Sequence, residues 1–238
     1  MLTAARLAAG GHTIYATMRN LHKQDTLKQE LAKRETKCQI LYLDVTDDIS
    51  INKVIKTIEK QAGRLDVLIN NAGITMPLMK NKLFYEKENW AKTIDVNLTA
   101  SFFSSQEAIK YMIKRKEGSI INITSLNAEL AFPKNPSYVA SKGGLKMVGK
   151  ALAKDWGKFG VRVNNLGPGY IKTSMTKSSY SNRRTRLERE KQTLLQRWGN
   201  MDDLVGPCIF LASDASKYIT GQDIYVDGGW TAGYIRDF

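Results

Sequence analysis

Asp66-Val67-Leu68-Ile69-Asn70-Asn71-Ala72-Gly73 places a run of strand-forming residues directly before two carboxamides, an alanine and a glycine. An apolar run this short, closed by turn residues, fits a strand buried on both faces. The pattern recurs. Ser119–Thr124 leads into Ser125, and Val161–Asn165 leads into Gly167-Pro168-Gly169. His12–Thr17, Gln39–Leu43 and Asp223–Val226 are equally short and rich in Val, Ile or Leu. Helical stretches lie between these runs: Ile51, Val54, Ile55 and Ile58 share helical spacing, as do Trp90, Ile94 and Leu98. Pro136–Phe159 is a long helical candidate that stops at Gly160. Alternating strands and helices predict right-handed crossovers and a doubly wound α/β fold built on a parallel sheet. No repeat, low-complexity segment or linker divides residues 1–238, so one domain is expected. In such folds ligands bind beyond the carboxyl ends of the strands, where the small and polar residues quoted above fall.

Composition narrows the classes. Hydrophobic residues make up 42% and charged residues 25%, which excludes a disordered or fibrous chain. No apolar run reaches the ~20 residues a membrane-spanning helix needs, and the first residues lack the regions of a secretory signal. Cys38 and Cys208 stand far apart, in no metal-type spacing, so neither a zinc site nor a disulfide framework is expected; a cytoplasmic protein is. Lys and Arg number 36 against 23 Asp and Glu, a formal charge of +13. The basic residues are scattered over helical stretches apart from a cluster at Arg183, Arg184, Arg186, Arg189 and Lys191. Without an aromatic platform or finger spacing beside it, that cluster reads as a solvated helix face rather than a nucleic-acid site.

The chemistry centres on Tyr138-Val139-Ala140-Ser141-Lys142. On a helix, a phenol and an ammonium four residues apart project from one face, their Cβ atoms roughly 5–6 Å apart. A free Tyr, with a pKa near ~10, is a poor base at neutral pH, and a nearby ammonium favours the phenolate. That tuning suits a general acid–base group for alkoxide–carbonyl interconversion. Ser125, at a strand end thirteen residues upstream, offers a hydroxyl to hold the substrate oxygen. Each of these residues also has a plainer role available. Asn97 can kink or cap a helix, Ser125 can cap a turn, Asp44 can cap the helix that follows it, and Gly73, Gly167 and Gly169 can mark tight turns.

Together with these residues, Asp95-Val96-Asn97-Leu98, Ile123-Thr124-Ser125 and Thr220-Gly221-Gln222-Asp223-Ile224-Tyr225-Val226-Asp227-Gly228-Gly229 make the chain resemble the short-chain dehydrogenase/reductase family from Met1 to about Ala232. The resemblance implies a Rossmann-like fold and hydride transfer between C4 of a nicotinamide and a carbonyl carbon. It makes Tyr138 the proton-exchanging residue and Ser125 the carbonyl-positioning one. Lys142 would bind the nicotinamide ribose and lower the Tyr138 pKa, and Asn97 would hold a water linking Lys142 to solvent. It implies a cofactor surface of Asp44, Val45, Asn71, Ala72, Gly73, Tyr138, Lys142, Pro168, Gly169, Ile171 and Thr173, with Asp66 a brace for the sheet. Arg19 follows a strand that ends without a carboxylate, and a guanidinium there suits a 2′-phosphate, so NADP(H) is expected. Residues 170–198 would form the substrate lid, with a basic helical segment at 179–197.

Two substrate classes follow from the resemblance. A 3-oxoacyl thioester on an acyl-carrier protein is placed first, because an acidic carrier would meet the basic lid; a sugar or sugar acid of the gluconate type is the alternative. A non-catalytic NADP-sensing or interaction protein is the rival of another class. A homotetramer or dimer is expected, with Leu98–Lys114 and Pro136–Phe159 packing on their copies through Val139, Leu145 and Met147 and the glycines 143, 144 and 149. The family's first strand and its Gly-rich turn have no counterpart before Leu2–Ala9. The expectation is a sheet lacking a central strand, a frayed Met1–Ala9 helix and a weakened pyrophosphate site.

Overall fold

The computed structural model describes residues 1–79 and 82–233. Six strands, β1 (Tyr15–Met18), β2 (Gln39–Tyr42), β3 (Val67–Asn70), β4 (Gly118–Ile123), β5 (Val161–Pro168) and β6 (Asp223–Val226), are parallel throughout. They form two sheets, β1-β2 and β3-β4-β5-β6. Among the described residues β1 and β3 share no ladder, so the two strands expected to flank a missing neighbour do not re-pair.

Both faces of the larger sheet are covered, as the continuous apolar runs require. Successive residues of β4 point to opposite sides. Ile120 joins Val161 and Val163 of β5 under helices α3 (Asp48–Ala62), α5 (Ala100–Arg115) and α6 (Pro136–Trp156). Ile121 joins Leu166 under Cys208 and Leu211 of α9 (Asp202–Ala212).

The helices start and stop where local chemistry dictates. Asp47 accepts the amide of Ile49 at 3.0 Å and caps α3, which buries Ile51, Val54, Ile55 and Ile58 and ends at Gly63 in the left-handed region. The cap role open to Asp44 therefore falls three residues later; Asp44 instead accepts from the amide and hydroxyl of Thr46 in an Asx turn. Pro136 opens α6, and the chain turns into β5 through Gly160, at φ 76°. A Cβ on Gly160 would lie 2.1 Å from the carbonyl oxygen of Lys116, so this turn admits glycine alone.

Helix α1 (Leu2–Ala9) is not frayed. Leu2, Ala5 and Ala8 are buried, and Ala5 and Ala8 cluster with Leu27 and Leu31 of α2 (Asp25–Ala32) against Ala16, Met18 and Ile40 of the smaller sheet. Arg6 reaches Asp202 at the start of α9 at 3.2 Å. An apolar face that finds partners on two elements holds a short helix that propensity alone would not.

A ladder of polar side chains crosses the larger sheet at one register. Asn70 Nδ2 donates to Asn122 Oδ1 at 2.9 Å, Asn122 Nδ2 to Asn165 Oδ1 at 3.2 Å, and Asn165 Nδ2 to Asp223 Oδ1 at 2.7 Å. These residues are direct neighbours in β3, β4, β5 and β6. Asn70 and Asn165 also reach the backbone of α5 and α6, donating to the carbonyls of Ser101 and Lys146. Buried carboxamides with their partners in place fix the register of the strands and the seating of both helices. Asp66, just before β3, binds Arg64 and Arg115, which makes it the brace expected of it.

Candidate active site

Lys142 lies nearly two turns into α6 and is nearly fully buried, and its ammonium donates to the carbonyl of Ile123, the last residue of β4, at 2.7 Å. Burial lowers its pKa to about 8. Tyr138, one turn earlier, sets its ring centroid 5.8 Å from that ammonium. Burial raises the Tyr138 pKa, and the Ser125 hydroxyl, acting as a hydrogen-bond partner, pulls it down by less. This corrects the expected direction. Removal of the phenol from water outweighs its polar partner and sets the net direction.

Asn97 joins the group from the other side. It sits in a π-helical turn (Asp95–Thr99) between α4 (Lys87–Ile94) and α5, where the widened backbone aims its fully buried side chain inward. Its Oδ1 accepts from the Ile74 amide at 2.8 Å, and its Nδ2 donates to the Ile74 carbonyl at 2.9 Å and to Ser141 Oγ at 3.0 Å. The side chain thus pins the Gly73–Ile74 backbone to α6, and the helical kink serves that contact. Gly73 lies close beside both groups: a Cβ there would stand 3.5 Å from Asn97 Oδ1 and 3.6 Å from Lys142 Nζ. Ser125 caps a short 3-10 turn, accepting from the Asn127 amide at 3.2 Å, so its capping and site-facing roles coincide.

The remaining expected cofactor residues divide. Asn71 and Ala72 are exposed at the end of β3. Arg19, just past β1, is exposed, makes no ion pair among the described residues, and its charge reaches Asp44. Val45 is half-buried beside Asp44. Pro168 ends β5, and Gly169 passes so close to β6 that a Cβ would stand 2.6 Å from Asp227 Cα. Ile171 and Thr173 lie at the start of the segment expected to form the lid. Ile171 is buried and pairs with Gly199, and the Thr173 amide donates to Thr176 Oγ1 at 3.0 Å.

The segment expected to form the lid consists of α7 (Lys177–Ser181), α8 (Arg183–Gln192) and the strap back to Gly199. Two features here were not read from the sequence. Tyr170, Phe132 and Trp230 gather around Arg189, whose guanidinium carbon is 4.3 Å from the Tyr170 ring centroid. The buried Asn135 Oδ1, three residues before Tyr138, has no hydrogen-bond partner among the described residues, while its Nδ2 donates to Thr75 Oγ1 at 2.8 Å. The aromatic residues were visible as types in the sequence, yet only the fold brings positions 132, 170 and 230 together.

The residues present suit a nicotinamide dinucleotide. Gly73 keeps the space beside Lys142 and Asn97 free of a side chain, the ammonium of Lys142 has donors beyond the one given to Ile123, and the unpaired guanidinium of Arg19 stands at the strand end that suits a phosphate. Among the described residues no group of His, Cys, Asp and Glu could hold a metal ion, and no helix is long and apolar enough to cross a membrane.

A family model described as Enoyl-(Acyl carrier protein) reductase matches residues 1–231. Gluconate 5-dehydrogenase of Gluconobacter oxydans is 36% identical over 233 residues, which cover 97% of this chain and 90% of that protein. The 2-dehydro-3-deoxy-D-gluconate 5-dehydrogenase of Formosa agariphila is 34% identical, over 96% of this chain and 87% of its own length. The crystal structure of a gluconate 5-dehydrogenase from Burkholderia cenocepacia in complex with NADP and tartrate superposes with a TM-score of 0.90 at 34% identity, covering 98% of this chain and 90% of that one. Agreement at this level over almost the whole length extends to the sheet edge where Ser125, Tyr138 and Lys142 meet, and the chain belongs to the short-chain dehydrogenase/reductase family of oxidoreductases.

Proposed function

We propose that this protein is an NADP(H)-dependent dehydrogenase of sugar acids, interconverting a secondary alcohol of an aldonate and the corresponding ketone. The observation that carries the reading is the identity with gluconate dehydrogenases over nearly the full chain, joined to a Ser125–Tyr138–Lys142 group in which Ser125 and Lys142 are buried and Tyr138 is half-buried. The unpartnered Asn135 Oδ1 adds support, since a polyhydroxylated substrate brings the donors it lacks. The sugar-acid reading takes the place of the acyl-carrier thioester placed first from sequence. The lid that was to meet an acidic carrier has part of its charge neutralised, with Arg184 paired to Glu188 on the same helix and Arg197 to Asp203 of α9. A purely sensing role fits poorly with an acid–base group kept intact in the interior.

When bound, the nicotinamide exchanges a hydride with the substrate carbon. Ser125 holds the substrate oxygen by its hydroxyl, and Tyr138 exchanges the proton at that oxygen. In the ketone-to-alcohol direction the raised pKa of Tyr138 keeps the phenol protonated and ready to donate. In the reverse direction the phenolate must form, and the charged form of Lys142 stabilises it. Lys142 also holds the nicotinamide ribose, Asn97 keeps the Gly73–Ile74 backbone in place, and Arg19 takes the 2′-phosphate. A homodimer or homotetramer belongs to the proposal, assembled through α5 and α6. The test is steady-state oxidation of gluconate with NADP⁺ and reduction of 5-ketogluconate with NADPH. Activity on 3-oxoacyl thioesters with none on aldonates or their keto forms would overturn the substrate class.

A further inference from the structure

The basic residues of α8 do not share one environment. Arg184 pairs with Glu188 at 2.9 Å, and Arg186 lies 4.0 Å from Glu190. Arg189, on the same helix, has neither a carboxylate within ion-pair distance nor a hydrogen-bond acceptor for its guanidinium among the described residues. Aromatic rings surround it instead, with centroids 4.3 Å (Tyr170), 5.5 Å (Phe132) and 5.7 Å (Trp230) from the guanidinium carbon. The rings also pack on one another, Tyr170 and Trp230 at 5.0 Å and Phe132 and Trp230 at 6.0 Å.

Such a cage stabilises the face of a guanidinium but leaves the N–H donors along its edge unsatisfied. Asn135 Oδ1 is the one fully buried polar side-chain atom without a partner among the described residues, so the Arg189 nitrogens remain accessible. A cation held rigid by aromatic walls, with its fork free, is preorganised for a planar two-oxygen anion. Its position ties it to the chemistry. Tyr170 follows Pro168-Gly169 at the end of β5, Phe132 lies just before α6, which carries Tyr138, and the two rings meet at 6.1 Å, so the cage stands on the segments that border the catalytic group. The charges of Arg189 and Tyr138 both reach the Tyr170 phenol. A neighbouring cavity of about 160 Å³ is lined by Tyr170, Asp203, Asp227 and Arg197, and the Arg197 guanidinium is already paired with Asp203 at 2.8 Å.

We propose that Arg189 receives the carboxylate of the substrate while its alcohol or keto carbon lies at Tyr138, which makes Arg189 the residue that selects sugar acids over neutral polyols. The proposal rests on the sugar-acid reading and narrows it to one recognition contact.

Gluconate and sorbitol differ at C1, a carboxylate in one and a hydroxymethyl in the other, and make the probe pair. For Arg189→Met, kcat/KM for gluconate is expected to fall at least tenfold, chiefly through KM, while the rate on sorbitol changes less than twofold. Arg189→Lys, which keeps the charge and loses the fork, should fall between, and it carries the test if the Met variant fails to fold. Equal losses on both substrates, or an unchanged gluconate rate, would overturn the assignment and leave the sugar-acid reading standing. If the wild type turns over no aldonate, that reading fails by itself. Arg189 is then judged by titrating the cofactor-free protein with gluconate and with sorbitol, following Trp fluorescence. A gluconate-specific signal lost in Arg189→Met supports the contact, and no such signal in the wild type overturns it.

Discussion

The ammonium of Lys142 donates to the main-chain carbonyl of Ile123 at 2.7 Å, inside a site that lowers its pKa from 10.5 to about 8. The folded protein therefore releases this proton by about pH 8, while the unfolded chain keeps it to about 10.5. Between those values the unfolded state binds more protons, so this group makes stability rise with pH, by about 3 kcal/mol across the window. Cys208 and Tyr138 have raised pKa values and pull the other way at higher pH, so the comparison is with Lys142→Met. The variant should be inactive yet more stable than wild type at pH 7, and that advantage should shrink to nothing near pH 10.5. Urea melts at a series of pH values measure it. A difference independent of pH would mean Lys142 is not buried as an ammonium.

Tyr138→Phe removes the proton-exchanging hydroxyl and little else. Turnover should fall by roughly 10²–10⁴-fold. NADP(H) affinity, followed by nucleotide fluorescence, should stay within about twofold. Because burial raises the phenol pKa, wild-type alcohol oxidation should climb with pH well past the optimum for ketone reduction. Coincident pH profiles for the two directions would contradict that direction of shift.

The contrast between Tyr138 and Arg189 shows where sequence reading stops. Tyr138 and Lys142 lie one helical turn apart, so spacing alone places them together, and the strands read as short apolar runs fall within a few residues of those observed. The pKa of Tyr138 was read from its charged neighbour, and burial, which depends on the packed fold, reversed the direction. Arg189 sits in a basic run that looks solvated throughout, and its cage comes from three rings spread over a hundred residues. The face of α6 expected at a subunit contact shows the same limit. Leu145 is buried, Gly144 lies against Leu98 and Gly149 against Asn165, so three residues expected at a subunit contact serve the interior instead.

Arg19→Asp replaces attraction by repulsion at the expected 2′-phosphate, next to the carboxylate of Asp44. The ratio of kcat/KM for NADP(H) over NAD(H) should drop at least tenfold, with Arg19→Gln in between. An unchanged ratio would remove Arg19 from the cofactor site.

Phe103 on α5 and Met147 on α6 remain exposed although both are large and apolar. Burial in a homodimer or homotetramer is the expected outcome, giving a dimeric or tetrameric mass by light scattering at micromolar concentration. Met147→Glu together with Phe103→Glu should release monomers without unfolding them. A monomeric wild type would refute the assembly.

Asn122 is the centre of the polar ladder, and it also precedes Ile123, whose carbonyl holds Lys142. In Asn122→Leu, Asn70 Nδ2 keeps Ser105 Oγ at 2.9 Å and the Ser101 carbonyl at 3.2 Å, so that end of the ladder stays satisfied. Asn165 Oδ1 loses the donor it has in the ladder, and a buried acceptor left alone costs about 1–3 kcal/mol. Against a total stability of roughly 5–15 kcal/mol the loss is readable in a urea melt and does not unfold the protein. The catalytic effect is the sharper test. A displaced end of β4 moves both the acceptor of Lys142 and Ser125 two residues beyond it, and small misplacements at a reacting centre can cost about 10²-fold. Asn122→Leu should therefore lower kcat more than tenfold with KM nearly unchanged, and shift the alkaline limb of the pH–rate profile that reports Lys142. Asn122→Asp, which keeps an acceptor for Asn70 but no donor for Asn165, should lose comparable stability. A stable Asn122→Leu variant with wild-type kcat and an unmoved pH profile would show that the ladder does not position the catalytic lysine.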